Sequence, residues 1–184
     1  MIIKNKIESM QLINELGLNK FSEKLFNKNE EEKVKEFIKC YPAKYYAIRD
    51  KSKTSGKFKL KVSVDRIFDE IKDYSLYSIN VSSANYVDNQ LLVGEIEILS
   101  NGEVYTILST NPTASVRDAI TNPDFNFKTI IFDKKLDEIP YFDYIYKYIS
   151  DNNLYDLIIE FALFNKNVGI NNEKVIVYEL RTNY

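Results

Sequence analysis

The end of the chain constrains the fold more than any other stretch. Two β-rich runs, residues 155–164 and 175–184, flank a polar loop at 165–174 that carries several asparagines and Gly169. Apolar runs joined by Asn/Gly chemistry predict a β-hairpin. Pairing symmetric about the loop sets Glu160 opposite Glu179 and Ile158 opposite Arg181. Like charges directly opposite each other destabilise a sheet unless something positive lies between them. On this register Ile158, Ala162, Val175 and Val177 share the carboxylate face, which argues against simple solvation. The compensation is a metal ion held jointly by Glu160 and Glu179, a lysine from elsewhere in the chain, or an internal salt bridge to Arg181 or Arg49.

The preceding chain alternates between helical and strand periodicity. Ile7, Met10, Ile13 and Leu16 recur at helical spacing, and Gly17 can cap that helix. A short helix is expected over 22–26. A clearer one follows, with Asn29 as N-cap, an acidic first turn, and Val34, Phe37 and Ile38 on one face before Pro42. The period then switches. Tyr45 to Arg49 reads as a strand, and a basic loop leads to Phe58, Leu60, Val62 and Val64 alternating with Lys57, Lys59, Lys61 and Ser63. Asp65 can cap a helix bearing Ile67, Phe68 and Ile71, and a strand is expected over 76–83. Residues 91–99 place Glu95 and Glu97 opposite Leu92, Ile96 and Ile98, and Asn101-Gly102 is the strongest turn signal in the chain. A short helix over 115–120, a short strand near 128–132 and a helix with Phe142, Ile145 and Ile149 inward lead into the closing hairpin. The fold class read from this order is α+β with mainly antiparallel sheet in two strand groups. A helical N-terminal appendage (1–41) precedes one α+β domain (42–184), either a single body or two lobes at 42–90 and 91–184.

Composition excludes several chemistries. With 184 residues, 45% of them hydrophobic, the chain can bury a sizeable core. It has no histidine and one cysteine, Cys40, so there is no His-dependent nucleophile, no zinc site of the usual kind and no internal disulfide. A formal charge of -2 argues against a general nucleic-acid binder. No apolar run approaches the length of a membrane span, and no signal peptide is read at the start, so a cytoplasmic location is expected. Carboxylates, lysines and arginines remain, a set suited to magnesium and phosphate. Arg49, Arg66, Arg117 and Arg181 are the four arginines, each a hint of a need for the planar fork.

The stretch Ala47-Ile48-Arg49-Asp50, followed by Ser55-Gly56-Lys57-Phe58, resembles part of the ATP-grasp fold. The similarity is to the nucleotide-binding domain of the pyruvate phosphate dikinase and phosphoenolpyruvate synthase type. It matches that family's arginine-bearing strand, phosphate loop and return strand. Ile158-Ile159-Glu160-Phe161-Ala162 and Val175 to Arg181 resemble its paired terminal strands, where an acidic residue and a second oxygen ligand hold magnesium. The resemblance spans about 43–184. It departs from the pattern in having one glycine in the phosphate loop, in lacking the histidine of the dikinases' phosphohistidine step, and in having no substrate domain before it.

These readings converge on binding of a phosphorylated ligand, ATP with magnesium, in a cleft between the two strand groups, with ATP-dependent phosphoryl transfer or ligation as the reaction class. Glu160 and Glu179 are the expected metal ligands. Arg49, Lys57, Lys59, Glu95, Arg117 and Arg181 are the expected nucleotide contacts. The alternative is a non-enzymatic interaction or regulatory module that meets a protein partner through an aromatic surface around Tyr144, Tyr146 and Tyr148.

Overall fold

The computed structural model describes Ile3, residues 5–52 and residues 57–182. Contacts divide the chain into two units, one formed by Met1–Lys20 with Asp88–Tyr184 and the other by Phe21–Val87. The first residues therefore divide between the two units, and the expected boundary at 41 is not where contacts separate. The expected phosphate-loop residues Ser55 and Gly56 lie outside the described residues.

The smaller unit is a four-stranded antiparallel sheet in the order β1-β4-β2-β3, formed by β1 (Glu23–Asn27), β2 (Tyr45–Asp50), β3 (Phe58–Ser63) and β4 (Leu76–Val81). The expected helix over 22–26 is instead β1, paired with β4. Five residues are too few for period to distinguish helix from strand, and the tertiary partner decides. Helix α2 (Glu31–Cys40) buries Val34 and Phe37, and Phe26 meets the rings of Phe37 and Tyr77. The N-cap is Glu30, with Asn29 just before it at a positive φ of 72°. Helix α3 (Ile67–Ile71), entered through a 3-10 turn, buries Ile67 and Ile71.

The larger unit is a five-stranded antiparallel sheet, β7-β6-β5-β8-β9, built from β5 (Gln90–Ile98), β6 (Glu103–Ser109), β7 (Phe125–Ile130), β8 (Ile158–Val168) and β9 (Glu173–Arg181). The Asn101-Gly102 turn closes as expected, with Gly102 at φ 89° and its N–H donating to the Leu99 carbonyl. Gly94 sits in the sheet centre at φ 147°, where a Cβ would meet the Ile107 carbonyl oxygen at 2.1 Å. One face of this sheet carries the core: Leu92, Ile96, Ile98, Ile159, Phe161, Leu163, Val175, Val177 and Leu180 pack with Ile145 and Ile149 of α5 (Phe142–Asp151) and Ile13 of α1 (Lys6–Glu15). Helix α5 buries its expected residues but starts after Tyr141, with a 3-10 turn over Lys134–Glu138 before it. The short helix α4 (Val116–Thr121) opens on a Ser115/Asp118 capping box and makes contacts with β5, β6 and β8.

Buried Asn19 locks the β8–β9 connection. Its Nδ2 donates to the Val168, Glu173 and Val175 carbonyls, and its Oδ1 accepts from the Asn171 N–H. Gly169, at φ 76°, leaves room for this contact, since a Cβ there would lie 2.5 Å from Asn19 Oδ1. Asn19→Asp keeps the shape but removes the amide donors, stranding buried carbonyls beside a carboxylate. It should destabilise the fold by roughly 3 kcal/mol, read as a drop in the urea unfolding midpoint at unchanged slope.

Candidate functional site

The closing hairpin pairs Glu160 with Glu179 and Ile158 with Arg181, as the symmetric register requires. Beyond Glu160 the register shifts, so that Phe161 pairs with Val177 and Leu163 with Val175. The shift leaves Tyr178 as the extra residue of a β-bulge, which re-aims the chain by one position. Val175 and Val177 therefore lie on the core face, opposite the carboxylates, which corrects the expectation that they share the Glu160 face. Ala162, paired with Ile176, stays on the carboxylate side.

The adjoining strand extends the row. Glu95 of β5 pairs with Glu160, and Glu97 pairs with Ile158. Glu95, Glu160 and Glu179 thus stand side by side across three adjacent strands. Glu95 and Glu97 lie on the face opposite Leu92, Ile96 and Ile98, as expected, and are only 9% and 3% exposed.

Two cations meet this row. Arg181 Nη2 donates to Glu95 Oε1 and lies 3.6 Å from Glu160 Oε1. Lys6, in the first turn of α1, places Nζ 2.5 Å from Glu179 Oε2. Sequence reasoning allowed for a lysine from elsewhere but could not single out Lys6, because its partner is 173 positions away. Helix α1 is brought to β9 by Ser9, whose buried Oγ accepts the Leu180 N–H at 2.7 Å. Apolar spacing cannot report a contact of that kind.

The charges do not balance fully. Burial and then the neighbouring Glu179 carboxylate push Glu160 up to about 7, against the pull of Lys6 and Arg181. The Nε–H of Arg181 is buried without an acceptor among the described residues. A carboxylate reluctant to ionise and a guanidinium donor lacking an acceptor fit a site that takes a hard cation together with an anionic oxygen. Among the described residues no three acidic, histidine or cysteine side chains are placed to hold a metal ion. A cation here would take two protein carboxylates and complete its shell from phosphate and water, as magnesium commonly does.

The other expected contacts are placed differently. Arg117 is exposed on α4, the short helix expected there. Arg49, Lys57 and Lys59 belong to the smaller unit. Arg49 lies over the Phe58 ring, 4.6 Å from its centroid. Lys57 is exposed ahead of β3, and Lys59 is bound to Glu70 at 2.5 Å. That ion pair holds the Glu70 carboxyl below its usual range.

Solved structures share this architecture. An N5-carboxyaminoimidazole ribonucleotide synthetase in complex with ADP superposes with a TM-score of 0.53 at 13% identity, over 97% of this chain and 45% of that one. A D-alanine–D-alanine ligase from Helicobacter pylori gives 0.51 at 13% identity, over 96% and 53%. The fold is ATP-grasp-like. A second D-alanine–D-alanine ligase, from Coxiella burnetii, gives 0.50 at 10% identity over 96% and 47% of the two chains. The chain spans about half the length of these ATP-grasp structures. No family model and no curated protein sequence matches it. Among the described residues no helix is long and apolar enough to cross a membrane.

The raised Glu160 value makes stability depend on pH in a definite direction. At about 7 in the folded protein it lies above the ordinary glutamate value of 4.5, so the native state holds the proton more tightly. The associated stabilisation is full below the unfolded value and is lost as pH rises through about 7. With divalent ions chelated, the wild type should therefore lose unfolding midpoint between pH 5 and pH 8 on this account. Glu160→Gln should flatten that decline and be the more stable protein at pH 8.

Proposed function

We propose that the chain binds ATP with magnesium and supports ATP-dependent ligation or phosphoryl transfer. The observation that carries this reading is the carboxylate row Glu95, Glu160 and Glu179, set on an ATP-grasp-like sheet and only partly neutralised by Arg181 and Lys6. Glu160 and Glu179 would hold the magnesium. When bound, the ion would bridge phosphate oxygens and offset their charge.

The chain's own residues would do the rest by position and charge, which is what phosphoryl chemistry demands of a protein. Arg181 would keep Glu95 and Glu160 in place through its terminal nitrogen and turn its unpartnered Nε–H toward a phosphate oxygen. Lys6 is half-exposed on a flexible stem, so it can swing from Glu179 to a phosphate once the metal takes over that carboxylate. Arg49 and Lys57 of the smaller unit would supply further phosphate contacts. Lys59, already paired with Glu70, would contribute less. Arg117 is exposed and free to approach a ligand from solvent.

Thermal unfolding tests this directly. A ligand that binds only the folded state stabilises it by about 2.7 kcal/mol at a hundredfold excess over its dissociation constant. MgATP should raise the midpoint of the wild type more than ATP in chelator does. Glu179→Gln should remove the magnesium-dependent part of the rise. No shift at millimolar MgATP would sink the reading.

A further inference from the structure

Of the proposed phosphate contacts, Arg181 lies against Glu95, Lys6 against Glu179 and Lys59 against Glu70, so each has its charge met by a carboxylate. Lys57 and Arg117 are exposed and, among the described residues, have no carboxylate within ion-pair distance. Arg49 also lacks a carboxylate, but a ring holds it in place. Its guanidinium lies over the Phe58 ring at 4.6 Å, and among the described residues no carboxylate is within ion-pair distance of it. Arg49 and Phe58 are direct cross-strand partners on β2 and β3, so the pair is built into the sheet register. Asp50, the next residue, points to the other side of the strand and accepts from the Ser52 N–H at 2.9 Å.

Phe58 is itself unusual. It is a large apolar side chain left 48% exposed, on an edge strand whose other outward residues are lysines. Core packing does not account for a ring in that position. An aromatic face attracts a guanidinium through its quadrupole and holds it in place without cancelling its charge. A carboxylate in the same place would occupy the N–H fork and neutralise it. The ring therefore leaves the planar fork free for a bidentate anion.

We propose that Phe58 is a positioning residue that presents Arg49, charged and with its N–H groups unengaged, to the phosphate chain of a nucleotide. This rests on the proposed function, which gives Arg49 its phosphate role, and it names the residue that makes that role workable. A Leu at 58 would fill the same space without the quadrupole, and a Tyr would keep it.

Titration calorimetry with MgATP on the full chain separates the possibilities, with each variant's fold checked by circular dichroism and unfolding midpoint. Phe58→Leu should weaken MgATP binding about five- to tenfold, the order expected of a cation–π contact worth 1 kcal/mol or slightly more. Phe58→Tyr should restore it, and the Phe58→Leu loss should vanish in an Arg49→Ala background. Arg49→Ala that binds MgATP like wild type would overturn the phosphate role of Arg49. An Arg49→Ala loss with Phe58→Leu unchanged from wild type would overturn the positioning role alone. Equal losses for Phe58→Leu and Phe58→Tyr would also overturn it, because they would show a packing requirement rather than a ring.

Discussion

Arg181 reaching across the sheet to Glu95 and Glu160 is the contact on which the larger unit's chemistry depends. Three carboxylates side by side on β5, β8 and β9 would push those strands apart if nothing positive lay among them. Arg181 meets two of them from the strand that bears the third, and Lys6 meets the third from α1. The arrangement is stable enough to fold and still short of full neutralisation, which is why Glu160 holds its proton to about pH 7. A buried row of like charges that the protein tolerates without cancelling is poor design for stability alone. The proposed magnesium-nucleotide would supply the remaining compensation.

How well the sequence reported these features depended on the range of the interaction involved. The Glu160–Glu179 apposition, the Asn101-Gly102 turn and the inward face of α5 follow from local pattern, and the structure has them. The bulge at Tyr178 could not be read, because one extra residue leaves composition and alternation almost unchanged while moving Val175 and Val177 to the other face. Strand β1 was misread because so few residues fit either period, and its identity comes from β4. Lys6, Ser9 and Asn19 could not be singled out for a related reason. Their roles are set by partners more than 140 positions away, where a single polar side chain leaves no periodic trace.

Both kinds of charge contact occur in each unit. In the larger unit Arg181 and Lys6 lie against the carboxylate row, while Lys128 pairs with Glu103 and lies over the Tyr105 ring. In the smaller unit Lys59 pairs with Glu70, while Arg49 lies over Phe58 and Lys61 over Tyr45 at 4.8 Å. A ring beneath a cation leaves its charge unneutralised, whereas a carboxylate cancels it. The cross-strand register that creates the Arg49–Phe58 pair is as specific as the one that creates the carboxylate row.

Electron paramagnetic resonance of manganese, used in place of magnesium, tests most directly whether the row on β5, β8 and β9 takes a divalent ion together with nucleotide phosphates. On this account the free-ion signal falls when protein is added in the presence of ATP beyond what ATP alone removes, and the difference disappears in Glu160→Gln/Glu179→Gln. A free-ion signal set by ATP alone, whether or not the wild-type protein is present, would contradict it.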